Sequence, residues 1–212
     1  LNALSRRILS NAAYALGGMI KETAAELPQQ EEKVTLGMTM FGVTTPCVTR
    51  VREILESEGY DLLVFHATGT GGLAMEELIR AGYIKGVADI TTTELADELV
   101  GGIFSAGPNR LEAAGATGIP QVVSVGALDM VNFGPPETVP EQFRGRKFYQ
   151  HNPTTTLMRT TVEENYQLGT ILARKLNQSQ SPTVLVFPKG GVSLLDREGQ
   201  PFAGEEERRA LY

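Results

Sequence analysis

The sequence has a single cysteine, Cys47, no tryptophan and only two histidines in 212 residues. One thiol excludes an internal disulfide and a cysteine-rich zinc site. It fits a reducing compartment, so a cytoplasmic protein is expected. No HxH, HExxH or CxxC spacing occurs, so no transition-metal site is expected. No GxSxG elbow is present, which disfavours an α/β-hydrolase triad. No apolar run approaches the ~20 residues of a membrane helix, and no signal-peptide pattern opens the sequence. Positive charge is in deficit: 19 Lys and Arg stand against 25 Asp and Glu, a net charge of −6. That balance argues against a nucleic-acid or anionic-membrane surface, which needs clustered Lys and Arg.

What is present is ordinary for a globular protein, 42% hydrophobic and 21% charged. The 23 glycines cluster after apolar runs and so mark loops. Leu1, Leu4, Ile8, Ala12, Leu16, Met19 and Ile20 recur at helical spacing, which predicts a helix to about Glu26. Because the sequence opens on Leu1 inside that pattern, residues 1–30 read as a connecting helix to a missing N-terminal domain. Residues 31–212 read as the domain proper. Strands are expected at Val34–Phe41, Asp61–Phe65, Gly86–Ile90, Ile103–Ala106, Gln121–Val125 and Thr183–Phe187, with helices between most of them. Thr45 before Pro46 reads as an N-cap, and Thr91 with Glu94 and Thr160 with Glu163 read as capping boxes. Residues 132–150 hold three prolines and no period, as a functional lid or interface arm does. Near-continuous apolar strands alternating with helices predict a Rossmann-like, doubly wound α/β fold: a mostly parallel sheet with helices on both faces. A barrel of about 250 residues does not fit.

In such a sheet, ligands bind where loops leave the carboxyl ends of the strands. The most informative loop is His66-Ala67-Thr68-Gly69-Thr70-Gly71-Gly72, between a strand and a helix. Glycines there let amide groups approach an anion at the positive end of a helix, although a tight turn needs glycine equally. Gly71 is expected at positive φ. The neighbouring loops repeat the theme of glycine beside a hydroxyl. The expected ligand-binding set is therefore Thr44, Thr45, Thr68, Gly69, Thr70, Gly71, Gly72, Thr92, Lys189, Gly190 and Gly191, with Lys189 or Arg110 supplying positive charge. His66, Asp129 and Cys47 are the catalytic candidates: an acid/base at a strand end, a strand-end carboxylate, and a thiol one residue into a helix. His151 caps the next helix or closes over a ligand. Asp89 and Asp129 would hold Mg²⁺ through water or orient a ribose, unless they only cap helices.

The strings Thr39–Cys47, His66–Gly72, Gly86–Glu98 and Ser124–Gly134 together resemble one family. It is that of the tomato mosaic virus resistance protein and its uncharacterised relatives in bacteria, fungi and plants. His151–Thr161 and Val184–Asp196 match too, and Arg6–Gly18 resembles the family's connecting helix. The resemblance implies the C-terminal domain of a longer two-domain protein. It also implies ATP, with Mg²⁺ accompanying the nucleotide, held mainly by the N-terminal domain. The plant member's action on viral replication belongs to one lineage. The residues thus lead to a domain that binds a small anion or nucleotide within a metabolic enzyme. The alternative is a non-catalytic module for dimerisation or protein interaction, with Phe133, Phe143, Phe148 and Tyr149 as its gripping arm.

Overall fold

The computed structural model describes residues 2–23 and 33–212. The chain divides into two units, Leu1–Glu32 and Lys33–Tyr212. In the first, helix α1 runs over Ala3–Thr23, and the Asn2 side chain accepts the Ser5 N–H at 2.8 Å. Its expected extension to Glu26 lies outside the described residues.

The second unit begins with β1 (Thr35–Met40), α2 (Thr45–Ser57), β2 (Asp61–His66), α3 (Thr70–Arg80) and β3 (Gly86–Thr91). It continues with α4 (Glu94–Val100), α5 (Ala113–Thr117), β4 (Gln121–Gly126), β5 (Met130–Phe133), β6 (Phe148–Asn152) and β7 (Thr155–Arg159). It closes with α6 (Val162–Asn177), β8 (Thr183–Val186) and α7 (Glu205–Leu211). Five strands form one parallel sheet in the order β2-β1-β3-β4-β8. The chain leaves β1 on one side and resumes at β3 on the other, so the topological switch point lies between these two strands. This is the expected doubly wound α/β fold.

Side chains on a strand alternate between faces, and the sheet sorts its helices accordingly. Met38, Met40, Leu62, Val64, Ala88 and Ile90 meet α2 through Val48, Val51 and Leu55. On the opposite face, Phe65 and Val87 pack with residues of α3 and α5. Val123, Val125 and Leu185 pack there with α4, α6 and α7. Coverage of the α2 face is incomplete. Val122, Val184 and Val186 stand 41%, 55% and 44% exposed. With Leu36, Val51, Leu55 and Ile90 they line an open apolar groove of about 550 Å³.

The expected excursion at 132–150 is an ordered part of a second sheet, antiparallel in the order β5-β7-β6, with two short 3₁₀ turns between its first two strands. Residues 103–106 form turns and irregular chain, where a strand was expected. The box on α6 is Thr161 with Glu164, one residue later than expected. Thr160 is buried and hydrogen-bonds Leu128 and Asn165, so its hydroxyl is not free to cap.

Candidate functional site

The glycine-rich loop after β2 does receive an anion, and the chain supplies it. Glu94 Oε1 accepts the N–H groups of Gly69 and Gly72 at 2.7 and 3.0 Å. Its other oxygen accepts Arg110 Nε at 2.7 Å. Glu94 therefore caps α3 rather than its own helix, and Thr91, the other half of the expected capping box, is the last residue of β3. Gly69 takes the positive φ, +83°. Gly71 is required for another reason: a Cβ there would lie 1.9 Å from the His66 carbonyl oxygen. At Gly72, a Cβ would collide with Glu94 Oε2 at 2.2 Å.

Arg110 is fully buried and not available to a ligand. It grips Asp89 with two hydrogen bonds of 2.6 and 2.8 Å and reaches Glu76 Oε1 at 3.5 Å. Asp89 also accepts the Thr39 hydroxyl at 2.6 Å, so this carboxylate serves the core rather than a cation or ribose. Glu76 in turn accepts the amides of Leu111 and Ala113 at the start of α5. Burial raises the Glu94 carboxyl above its usual range, and Arg110 opposes the rise.

The loop after β1 is different. Helix α2 has Thr44 as its N-cap, not Thr45, and receives no side-chain cap from the described residues. The Thr44 hydroxyl is engaged with Phe41 and with Thr91, 2.8 Å away across the switch point. The Thr45 hydroxyl donates to Phe41 O. First-turn amides of a helix lack partners within the helix, and here those are Thr45 and Cys47, with Pro46 having no N–H to satisfy. This turn opens on a crevice of about 330 Å³. The crevice is lined by Thr44, Cys47, Ser124, Gly126, Gly191 and Ser193, among others, and among the described residues no carboxylate lines it. Cys47 is exposed there. Lys189 and Gly190 are exposed in the loop that rims it. Thr92 is buried and ties the end of β3 to β4, its hydroxyl donating to Ser124 O and its N–H to Gly126 O. Asp129 is fully buried behind the crevice, its Oδ2 accepting the Ser193 hydroxyl at 2.7 Å. Burial pushes its carboxyl up to about 7.

Both histidines come to the other side of the β1 loop. His66 at the end of β2 and His151 on β6 line a cleft of about 170 Å³ with Phe41, Gly42, Val43, Thr68, Phe104, Asn152 and Thr155. The His66 ring stacks on Phe41, centroids 5.5 Å apart. Val43 lines both cleft and crevice. Thr70 is exposed at the start of α3. The sequence marks both His66 and His151, but their convergence on one cleft, 85 positions apart, leaves no local signal. Nothing in the local sequence singles out Ser193. Among the described residues, no group of three or more potential metal ligands occurs.

The family model for the C-terminal domain of the uncharacterised protein family UPF0261 matches residues 33–212. The chain belongs to UPF0261. A UPF0261 protein of Clostridium tetani is 61% identical over the whole chain, which covers 52% of that protein. One from Mesorhizobium japonicum is 50% identical, again with 52% covered. The tomato ToMV resistance protein Tm-1(GCR237) is also 50% identical over the whole chain, which covers 28% of it. The tomato ToMV susceptible protein tm-1(GCR26) matches equally well, so the likeness does not separate resistance from susceptibility. The UPF0261 chain thus spans about half the length of its bacterial curated relatives. Among its described residues, no helix is long and apolar enough to cross a membrane.

Proposed function

We propose that this domain binds a small oxyanion, a phosphate or a carboxylate, in the crevice at the switch point, as part of a metabolic enzyme. One observation carries the reading. Of the glycine- and hydroxyl-bearing loops that lead into α2 and α3, the one before α3 is filled by Glu94, whereas the one before α2 opens on a crevice. Amides at a helix start, together with the Ser124 hydroxyl, suit anionic oxygens. A nucleotide such as ATP is one candidate that supplies such oxygens. Without a carboxylate in the lining, Mg²⁺ would arrive on the nucleotide's own phosphates. A further domain of the full-length protein would close over this edge.

Cys47 reports on occupancy, because it is exposed in the same crevice. Saturating inorganic phosphate or MgATP should slow its alkylation by iodoacetamide and raise the melting temperature. An unchanged alkylation rate at every concentration of both would refute the site.

The open apolar face over β3, β4 and β8 favours a second reading, an interaction module forming homodimers. Sedimentation should then show dissociation on dilution, abolished as a transition in a monomeric Val184→Lys variant.

A further inference from the structure

The crevice contains a hydroxyl joined to a buried acid. Ser193 lines the crevice and donates to Asp129 Oδ2 at 2.7 Å. Asp129 is 0% exposed. Its Oδ1 has no hydrogen-bond partner among the described residues. The charged groups that bear on it are Arg159 on β7 and Asp196, three residues beyond Ser193. Asp196 is itself held by Arg159 and by Arg208 of α7. The Leu195 N–H donates to Ser193 Oγ at 3.0 Å, placing a dipole where negative charge would build if that oxygen lost its proton. The same crevice is lined by Pro46 and Cys47 of the uncapped first turn of α2.

We propose that Ser193 is a nucleophile and Asp129 its proton acceptor, acting on the acyl group of a small ester or thioester bound in this crevice. The inference rests on the oxyanion reading above, because the first-turn amides of α2 would receive the carbonyl oxygen as it becomes charged. In the first step the Ser193 Oγ–carbon bond forms while the Oγ proton passes to Asp129 Oδ2. The tetrahedral intermediate then expels the alcohol or thiol, which leaves with that proton. Water then attacks the acyl carbon and gives one proton to Asp129; the carbon–Ser193 Oγ bond breaks, Oγ takes that proton back from Asp129, and the carboxylic acid is released. Water is the only co-reactant. No histidine is needed, and both histidines of the chain line the separate cleft beyond Val43. Burial leaves the Asp129 carboxylate a stronger base than an exposed one, which helps it take a proton from an alcohol.

The test is labelling of the 212-residue chain with a fluorophosphonate probe, followed by intact mass and peptide mapping. The expected result is one adduct, on Ser193, absent from Ser193→Ala and formed at least tenfold more slowly by Asp129→Asn. If Asp129→Asn fails to fold by circular dichroism, the wild-type pH profile takes its place. The labelling rate must then rise through a single ionisation near pH 7 and level off. A serine that only ties its loop to the turn between β4 and β5 would give no such profile. No adduct at Ser193, or labelling that ignores the Asp129 change or the pH, overturns the proposal. Phosphate protection of Cys47 without a Ser193 adduct would remove the nucleophile and leave the anion site standing.

Discussion

Replacing Glu94 by alanine should turn a filled anion site into a vacant one. The side chain is fully buried and accepts the amides of Gly69 and Gly72 and the Arg110 guanidinium. Its loss leaves two buried N–H groups without an acceptor, at about 1–3 kcal/mol each. Arg110 stays compensated, because both of its bonds to Asp89 survive. One fewer buried carboxylate offsets part of the loss. The net expectation is about 3 kcal/mol, against a typical total of about 5–15 kcal/mol, so the variant folds but melts roughly 10 °C lower. Formate carries the missing carboxylate. At about ten times its Kd it should restore about 1.4 kcal/mol to Glu94→Ala and nothing comparable to the wild type. Urea unfolding with and without formate measures both quantities. A loss below about 1 kcal/mol would refute the internal-anion account. So would equal stabilisation of variant and wild type by formate.

Other consequences are open to direct measurement. Gly71→Ala should destabilise by more than about 2 kcal/mol in chemical denaturation, because the added methyl meets the His66 carbonyl at 1.9 Å. Gly107→Ala, at φ +78° with nothing near its Cβ, should cost only about 1 kcal/mol of backbone strain. The carboxyls of Asp97 and Asp129 are both pushed up to about 7 by burial. The folded state therefore holds their protons more tightly than the unfolded chain. Their contribution to stability is fullest below about pH 4 and declines through the window up to pH 7, by as much as about 4 kcal/mol each. Asp97→Asn should flatten that part of the urea-midpoint profile, and an unchanged profile would contradict the assignment. His66→Ala and His151→Ala remove exposed side chains, so each should leave the melting temperature within about 2 °C of wild type. A larger loss at His66 would mean that its stack on Phe41 holds the fold.

The architecture was legible because apolar strands and intervening helices carry their periods locally. Met38 and Met40 on one face, and Val123 and Val125 on the other, follow directly from alternation. Glycine after β2 likewise told of an anion at a helix start. What the sequence did not carry was the anion's source, since Glu94 lies 22 residues from Gly72 and reads locally as part of a capping box. Thr91 misled for the same reason: its spacing to Glu94 is right, but the strand continues through it. Arg110 looked like a free cation until three carboxylates from separate elements closed around it. Strand 103–106 failed because the Ile103 N–H goes to Asn132 O and the next N–H, of Phe104, goes to the Asp97 carboxylate, so no ladder is built. Pairings that depend on tertiary closure, Ser193 with Asp129 and His66 with His151, have no periodic trace.

The Glu94 and Glu76 clasps have a mechanical corollary. Each carboxylate belongs to one helix and stoppers the start of another, so α3, α4 and α5 are locked to one another through Arg110. That side of the sheet edge must shift as one block or not at all. The opposite rim is pinned bond by bond: the Leu194 N–H donates to Val43 O, Val192 O accepts the Ala127 N–H, and the Ser193 hydroxyl donates to Asp129.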